Sequence, residues 1–173
     1  FDWGGVIAPN PHGGWLNVLV EMLDSTVEEL LPHWQAAGDK KFSSGLITEE
    51  EFWQSFETSY AKPLHIDKQR VWTEGSAIQP WPEVMTFVDS LRDRGIVTAV
   101  LSNTVKPLSA ILHEEALHDG FHTIVLSDEV GLSKPDPEIY KLVLERLLLQ
   151  PNECIFIDDL PKNLVPAQEL GMK

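Results

Sequence analysis

Phe1-Asp2-Trp3-Gly4-Gly5-Val6-Ile7 opens the chain, and its reading decides the fold. An acidic residue follows an aromatic one and precedes a Gly-Gly pair and two β-branched residues. The pattern is a strand end running into a tight turn, with the Asp2 carboxylate at the strand's C-terminal tip. In open α/β sheets that edge is where ligands bind. The stretch gains weight because later apolar runs of the chain also end in residues suited to chemistry.

Working outward, Ile96 to Leu101 is a continuous apolar run ending at Ser102-Asn103-Thr104, the pattern of a buried parallel strand. Phe121 to Leu126 is a third strand, ending in Ser127-Asp128, and Cys154 to Ile157 a fourth, ending in Asp158-Asp159. Helices fall between them. One runs from Pro82 to Arg94 and closes at Gly95. Another starts at Lys106-Pro107. A third starts at Lys134-Pro135-Asp136-Pro137 and carries Ile139, Tyr140, Val143, Leu144 and Leu147 on one face. The last turns in after Leu160 and reaches Leu170. This alternation predicts an α/β fold with a doubly wound, Rossmann-like parallel sheet core.

Residues 8–14 read as a loop, and the next segments as helical. Trp15 to Leu23 places Leu16, Leu19, Val20 and Leu23 on one face. Ser25 or Thr26 caps a second helix ending near Gly38. Thr48 and Glu51 form a capping box before Phe52, Trp53 and Phe56, with Glu49-Glu50-Glu51 as a solvated first turn. A short helix spans about Asp67 to Trp72. Residues 10–78 are thus expected to be a helical unit inserted between 1–9 and 79–173. Trp15, Trp34, Trp53 and Trp72 recur at a fixed interval, but their flanks differ, so they read as core aromatics and not as repeats.

The 173 residues predict one domain plus a small insert, and 43% apolar content places it among globular proteins. A formal charge of −14 argues against nucleic acid as a partner and repels anions at long range. A phosphate site must therefore be a local positive spot. No apolar run is long enough for a membrane span, and no signal peptide is visible, so a cytoplasmic location is expected. Both ends read as trimmed, with one more strand expected after Lys173. Cys154, the single cysteine, reads as a buried, inert thiol. The six histidines lack metal spacing and read as surface or structural residues.

At the expected sheet edge stand Asp2, Ser102-Asn103 and Asp158-Asp159, with Lys134 opening a helix beside them. Phosphoryl transfer needs an in-line nucleophile, a divalent cation and donors for spread charge. Asp2 suits the nucleophile. The carboxylates of Asp2 and Asp159, then Asp158, and the carbonyl of Gly4 suit Mg²⁺. The Ser102 hydroxyl and the Asn103 backbone N–H suit phosphate oxygens, and Lys134 suits the charge between nucleophile and phosphate.

These four motifs, FDWGGVI, VLSNT, the Lys of GLSKPDPEIY and IFIDDLPKN, resemble those of the haloacid dehalogenase-like hydrolase superfamily in order and over nearly the full length. KPDPEIY with IDDLPKNLVPAQELGM is similar to the phosphatase domain attached to soluble epoxide hydrolases and to sugar-phosphate phosphatases. The resemblance implies an Mg²⁺-dependent phosphatase acting on a small phosphorylated substrate through an aspartyl-phosphate, with residues 10–78 as a helical cap. It aligns Asp159 with the acidic metal ligand. One departure stands out: motif one usually carries a second Asp as general acid and base, and here that position is Gly4. General acid–base help is worth about 10²–10⁴-fold. Gly4 keeps two alternatives open, a metal-free 2-haloacid dehalogenase and a catalytically weak binding or regulatory module.

Overall fold

The computed structural model describes residues 1–9, 14–75 and 79–173. Part of the expected loop at 8–14, and His12 within it, lies outside the described residues. In chain order the elements are α1 (Gly14–Leu23), α2 (Val27–Ala36), α3 (Asp39–Ser43), α4 (Glu49–Tyr60), α5 (Lys68–Gly75), α6 (Pro82–Asp93), β1 (Ala99–Ser102), α7 (Lys106–Glu114), β2 (Thr123–Leu126), α8 (Ser127–Val130), α9 (Pro137–Leu147) and α10 (Pro161–Leu170). The capping signals sit where the sequence placed them. Thr26 accepts from Glu29 N, and Thr48 and Glu51 close a reciprocal box on α4.

β1 and β2 pair in parallel, Ala99 opposite Thr123 and Ser102 opposite Leu126. The expected first and fourth strands are hydrogen-bonded segments without a continuous ladder. The Phe1 nitrogen donates to Ala99 O, Leu101 N to Phe1 O, and Asp2 N to Ile157 O. Phe156 N donates to Lys173 O and Lys173 N to Cys154 O. The order across is therefore 123–126, 99–102, 1–2, 154–157 and 173. Residues 1–2 stay short of a strand because the chain turns away at Trp3.

Successive strand residues face opposite sides. Val100 and Leu126 enter the larger apolar cluster, while Leu101 and Val125 enter the smaller one. Both faces of the sheet are therefore covered. α9 and α10 supply Ile139, Tyr140, Val143, Leu144 and Ala167 on one side. On the other, Leu108 and Leu112 of α7 join Trp3, Ile7 and the aromatics of α1 to α5 in one continuous core.

Within that core Trp34 meets Phe52 at 4.8 Å and Trp72 at 6.0 Å between ring centroids. Glu49 departs from its expected role in a solvated turn. Its Oε1 accepts from both indoles, Trp53 Nε1 at 3.1 Å and Trp72 Nε1 at 2.6 Å. Two buried N–H groups need an acceptor, and the first turn of α4 delivers one. Cys154 is half-buried instead of buried, and burial raises its thiol pKa, which keeps it inert.

α1 and α5 touch through glycines. A Cβ on Gly75 would stand 2.8 Å from both Trp15 N and Trp15 Cα, and one on Gly14 would stand 2.2 Å from Gly75 O. Backbone contacts of that kind yield only by moving a helix. Gly75→Ala is therefore expected to cost about 1–3 kcal/mol, read as a lower denaturation midpoint.

Candidate active site

The first turn is built around Trp3. Ile7 N and Ala8 N both donate to Trp3 O at 2.9 Å, and Gly5 N donates to Ala8 O at 2.7 Å. This fold-back leaves Asp2 at the sheet edge, 7% exposed, with Oδ1 accepting from Trp3 N at 2.7 Å. Gly5 is required twice over. Its φ is +80°, and a Cβ there would lie 2.5 Å from Asp159 Oδ2. The second glycine of the pair thus brings the turn against the Asp159 carboxylate.

Lys134 is 4% exposed, and its Nζ bridges two carboxylates, Asp2 Oδ1 at 2.9 Å and Asp158 Oδ2 at 2.6 Å. Its backbone is clamped as well. The Asn103 side chain accepts from Lys134 N and donates to Lys134 O, each at 2.8 Å. Asp158 is saturated: Oδ1 accepts from Leu160 N and Asn163 Nδ2, while Oδ2 accepts from Lys134 Nζ and Asn163 Nδ2. Tyr140 donates to Asn163 O at 2.7 Å, tying the first turn of α10 to α9. Burial lifts the Asp2 carboxyl above the ordinary carboxylate range, and the Lys134 ammonium opposes that rise.

Asp2, Asp158 and Asp159 each bring a carboxylate oxygen into one group within 4.8 Å. The three carboxylates outweigh the Lys134 ammonium that bridges two of them, and a divalent cation would offset the excess negative charge. Oxygen donors of this kind fit Mg²⁺. A cleft of about 120 Å³ opens beside them, lined by Asp2, Gly4, Ser102, Asn103 and Lys134 among others. Every residue singled out in the sequence therefore lies in the cleft or in the carboxylate group next to it.

Asn163, which closes the IFIDDLPKN motif, holds Asp158. Other contributors were not legible as such: Lys162 lines the cleft, as does Trp15, read in the sequence as a core aromatic. Ser127, read only as a strand end, accepts from Thr104 N at 2.9 Å and donates to Ser43 O, so it joins the loop after β1 to α3. No spacing rule couples residues so far apart in the chain.

A model of the haloacid dehalogenase-like hydrolases matches residues 1–171, and the chain belongs to that family of enzymes. It is 32% identical over 184 residues to acyl-CoA dehydrogenase family member 10 of Mus musculus, covering 99% of this chain and 17% of that protein. Bifunctional epoxide hydrolase 2 of Mus musculus is 33% identical over 193 residues, covering 99% of this chain and 34% of that one. The chain thus spans about a third or less of the length of these two relatives. Phosphatase MT3486 of Mycobacterium tuberculosis (strain CDC 1551 / Oshkosh) is 27% identical over 163 residues, covering 93% of this chain and 67% of the relative. A HAD family enzyme of Bacteroides thetaiotaomicron, solved in complex with magnesium and inorganic phosphate, superposes with a TM-score of 0.75. That enzyme is 25% identical, over 99% of this chain and 88% of its own. No described helix is long and apolar enough to cross a membrane.

Beneath the site, Trp3 packs edge-on against His118 with ring centroids 5.0 Å apart. His118 is 4% exposed, and burial, helped by His113, lowers its pKa to about 4. The fold thus prefers the neutral ring. The resulting stability is complete above the ordinary histidine pKa of about 6.5 and is lost as pH falls from there through about 4. The urea midpoint is expected to drop between pH 7 and pH 4.5, and His118→Leu to shrink that drop; an equal drop in the variant would assign the acid sensitivity elsewhere.

Proposed function

We propose that this chain hydrolyses a small phosphomonoester in an Mg²⁺-dependent reaction through an aspartyl-phosphate on Asp2. The observation that carries the reading is the Lys134 ammonium held between Asp2 and Asp158, in the lining of a cleft and beside a third carboxylate. The phosphatase name of one relative and the magnesium and phosphate of the Bacteroides enzyme support it. In this reading residues 1–9 and 79–173 are a doubly wound core, and residues 10–78 are a cap inserted into it. The bond from Trp81 N to Ile7 O, 2.8 Å, supports that division, since the chain returns beside the point where it left.

Each residue then has a role. Asp2 attacks phosphorus; the P–O bond to the leaving group breaks, and its electron pair stays on the departing oxygen. Water next attacks the phosphoryl group, releasing inorganic phosphate and restoring the carboxylate. Among the described residues, the Trp3 N–H and the Lys134 ammonium both meet Asp2 at Oδ1, which favours Oδ2 for the attack. Lys134 offsets the charge that gathers on the phosphoryl oxygens, and Asp158 and Asn103 fix its two ends. The Ser102 hydroxyl and the Asn103 backbone N–H bind phosphate oxygens. Asp2, Asp159 and the Gly4 carbonyl would hold Mg²⁺. Asp158, with both oxygens already engaged by protein donors, serves Lys134 first. Bound Mg²⁺ supplies Lewis-acid polarisation of the phosphoryl group.

The test is hydrolysis of p-nitrophenyl phosphate, whose leaving group needs little proton donation. Turnover is expected with Mg²⁺ and lost with EDTA. Asp2→Asn should lower kcat by about 10³-fold or more while staying folded, because the Lys134 ammonium keeps its pair with Asp158. Activity indifferent to EDTA, together with release of halide from 2-chloropropionate, would replace phosphate transfer by dehalogenation at the same Asp2.

A further inference from the structure

A groove of about 260 Å³ runs through the sheet beside the segment that carries Asp2. Residues 96–99 form one wall and residues 154–157 the other, with Phe1 at the inner end. α6 contributes Phe87 and Leu91, and α9 contributes Val143 and Leu147. α6 packs on the larger apolar cluster through Val84 and Met85, whereas α9 belongs to the smaller one. The groove thus reaches apolar side chains on both faces of the sheet. Glu153 is the one charged side chain in its described lining. Phe87, Val97 and Ile155 are 51%, 45% and 71% exposed, a patch of the kind that marks an interaction site.

The backbone of the two walls defines the form of the occupant. Phe1 N donates to Ala99 O, and Leu101 N donates to Phe1 O. Along a strand the backbone groups of alternate residues point to the same side. Val97 therefore turns toward the groove, as does the N–H of Ala99. On the opposite wall Asp2 N donates to Ile157 O, while Phe156 N bonds outward to Lys173 O, so Ile155 and Ile157 turn toward the groove. Among the described residues, Val97 N and O, Ile155 N and O, and Ile157 N meet no hydrogen-bond partner. Residues 1–2 already bond to both walls, so the two rows stand one strand apart. Rows of this kind template a further strand.

Parallel bonds step along the chain by two residues. A residue joined to Phe1 would donate to Ile155 O and accept from Ile157 N. The residue before it would donate to Val97 O and accept from Ala99 N. Burial on both faces calls for uncharged, β-branched side chains. A second copy laid on the patch through side chains would cover the apolar walls and leave the backbone rows unmet.

We infer that the groove seats an extended, uncharged, β-branched strand of about four residues, joined to Phe1 and parallel to 99–102. Residues 1–2 then become the tip of a strand bonded on both sides, and Asp2 is anchored through it.

The experiment compares the chain as it stands with three forms extended ahead of Phe1, by Val-Thr-Val-Ile, by Val-Thr-Val-Pro or by Gly-Ser-Gly-Ser. Amide hydrogen exchange is followed at Ala99 and Ile157. Val-Thr-Val-Ile is expected to slow both about tenfold or more relative to Gly-Ser-Gly-Ser, and to raise the urea midpoint. Proline keeps the apolar bulk and has no N–H for Ile155 O, so Val-Thr-Val-Pro should lose most of that protection. Equal exchange in the Ile and Gly-Ser forms overturns the inference. Equal protection by the Pro form also overturns it, because the groove would then take any apolar cover and not a strand. Protection in the unextended chain that rises with protein concentration would give the groove to a second copy. No readout passes through phosphatase activity, so the inference stands or falls apart from the proposed function.

Discussion

A lysine ammonium with almost no solvent contact governs this structure. Lys134 Nζ sits between Asp2 and Asp158, and a charge so placed is tolerable only with close partners and few loose donors. The requirement propagates. Asp158 must be fixed, so Asn163 and the Leu160 N–H hold it. Asn163 must be fixed, so Tyr140 reaches from α9 to its carbonyl. Asn103 grips the lysine backbone from the loop after β1. Three connections that start from distant parts of the chain thus converge on one residue. Preorganised charge of this kind needs no rearrangement when a transition state forms.

The helical segment between residues 14 and 75 is joined to this centre by apolar contact and not by charge. Its aromatics share one cluster with Trp3, Ile7, Val100 and Leu108. Rings packed in this way leave few alternative rotamers. Glu49, accepting from two indoles, removes the polar cost of burying them. Ser127 adds a polar stitch where α3 meets the loop that carries Asn103. Rigid aromatic walls therefore stand at a set position relative to the carboxylates.

Much of this was legible in order along the chain. The apolar runs that end in Asp2, Ser102-Asn103 and Asp158-Asp159 announce strand tips, and period and capping signals announce the helices between. Such features depend on neighbours a few residues apart, which a linear sequence contains. The two short helices α3 and α8 escaped, because four or five residues carry too little periodicity to register. Residues 1–2 and 154–157 read as strands from their composition, yet they make isolated backbone bonds in place of a continuous ladder, and at residues 1–2 Trp3 turns the chain out of the sheet.

By itself the sequence determined the α/β alternation, the residue types gathered at the sheet edge and the lack of a second acid at Gly4. Only the tertiary structure decided how those residues divide their work. Adjacent aspartates look alike in a string; in space Asp158 is saturated by Leu160, Asn163 and Lys134, while Asp159 lies against the Gly5 turn. Glu49 turns inward, and His118 is buried against Trp3, for the same reason. The state of an ionisable or polar side chain is set by what surrounds it within a few ångströms, and those neighbours come from segments that only folding brings together.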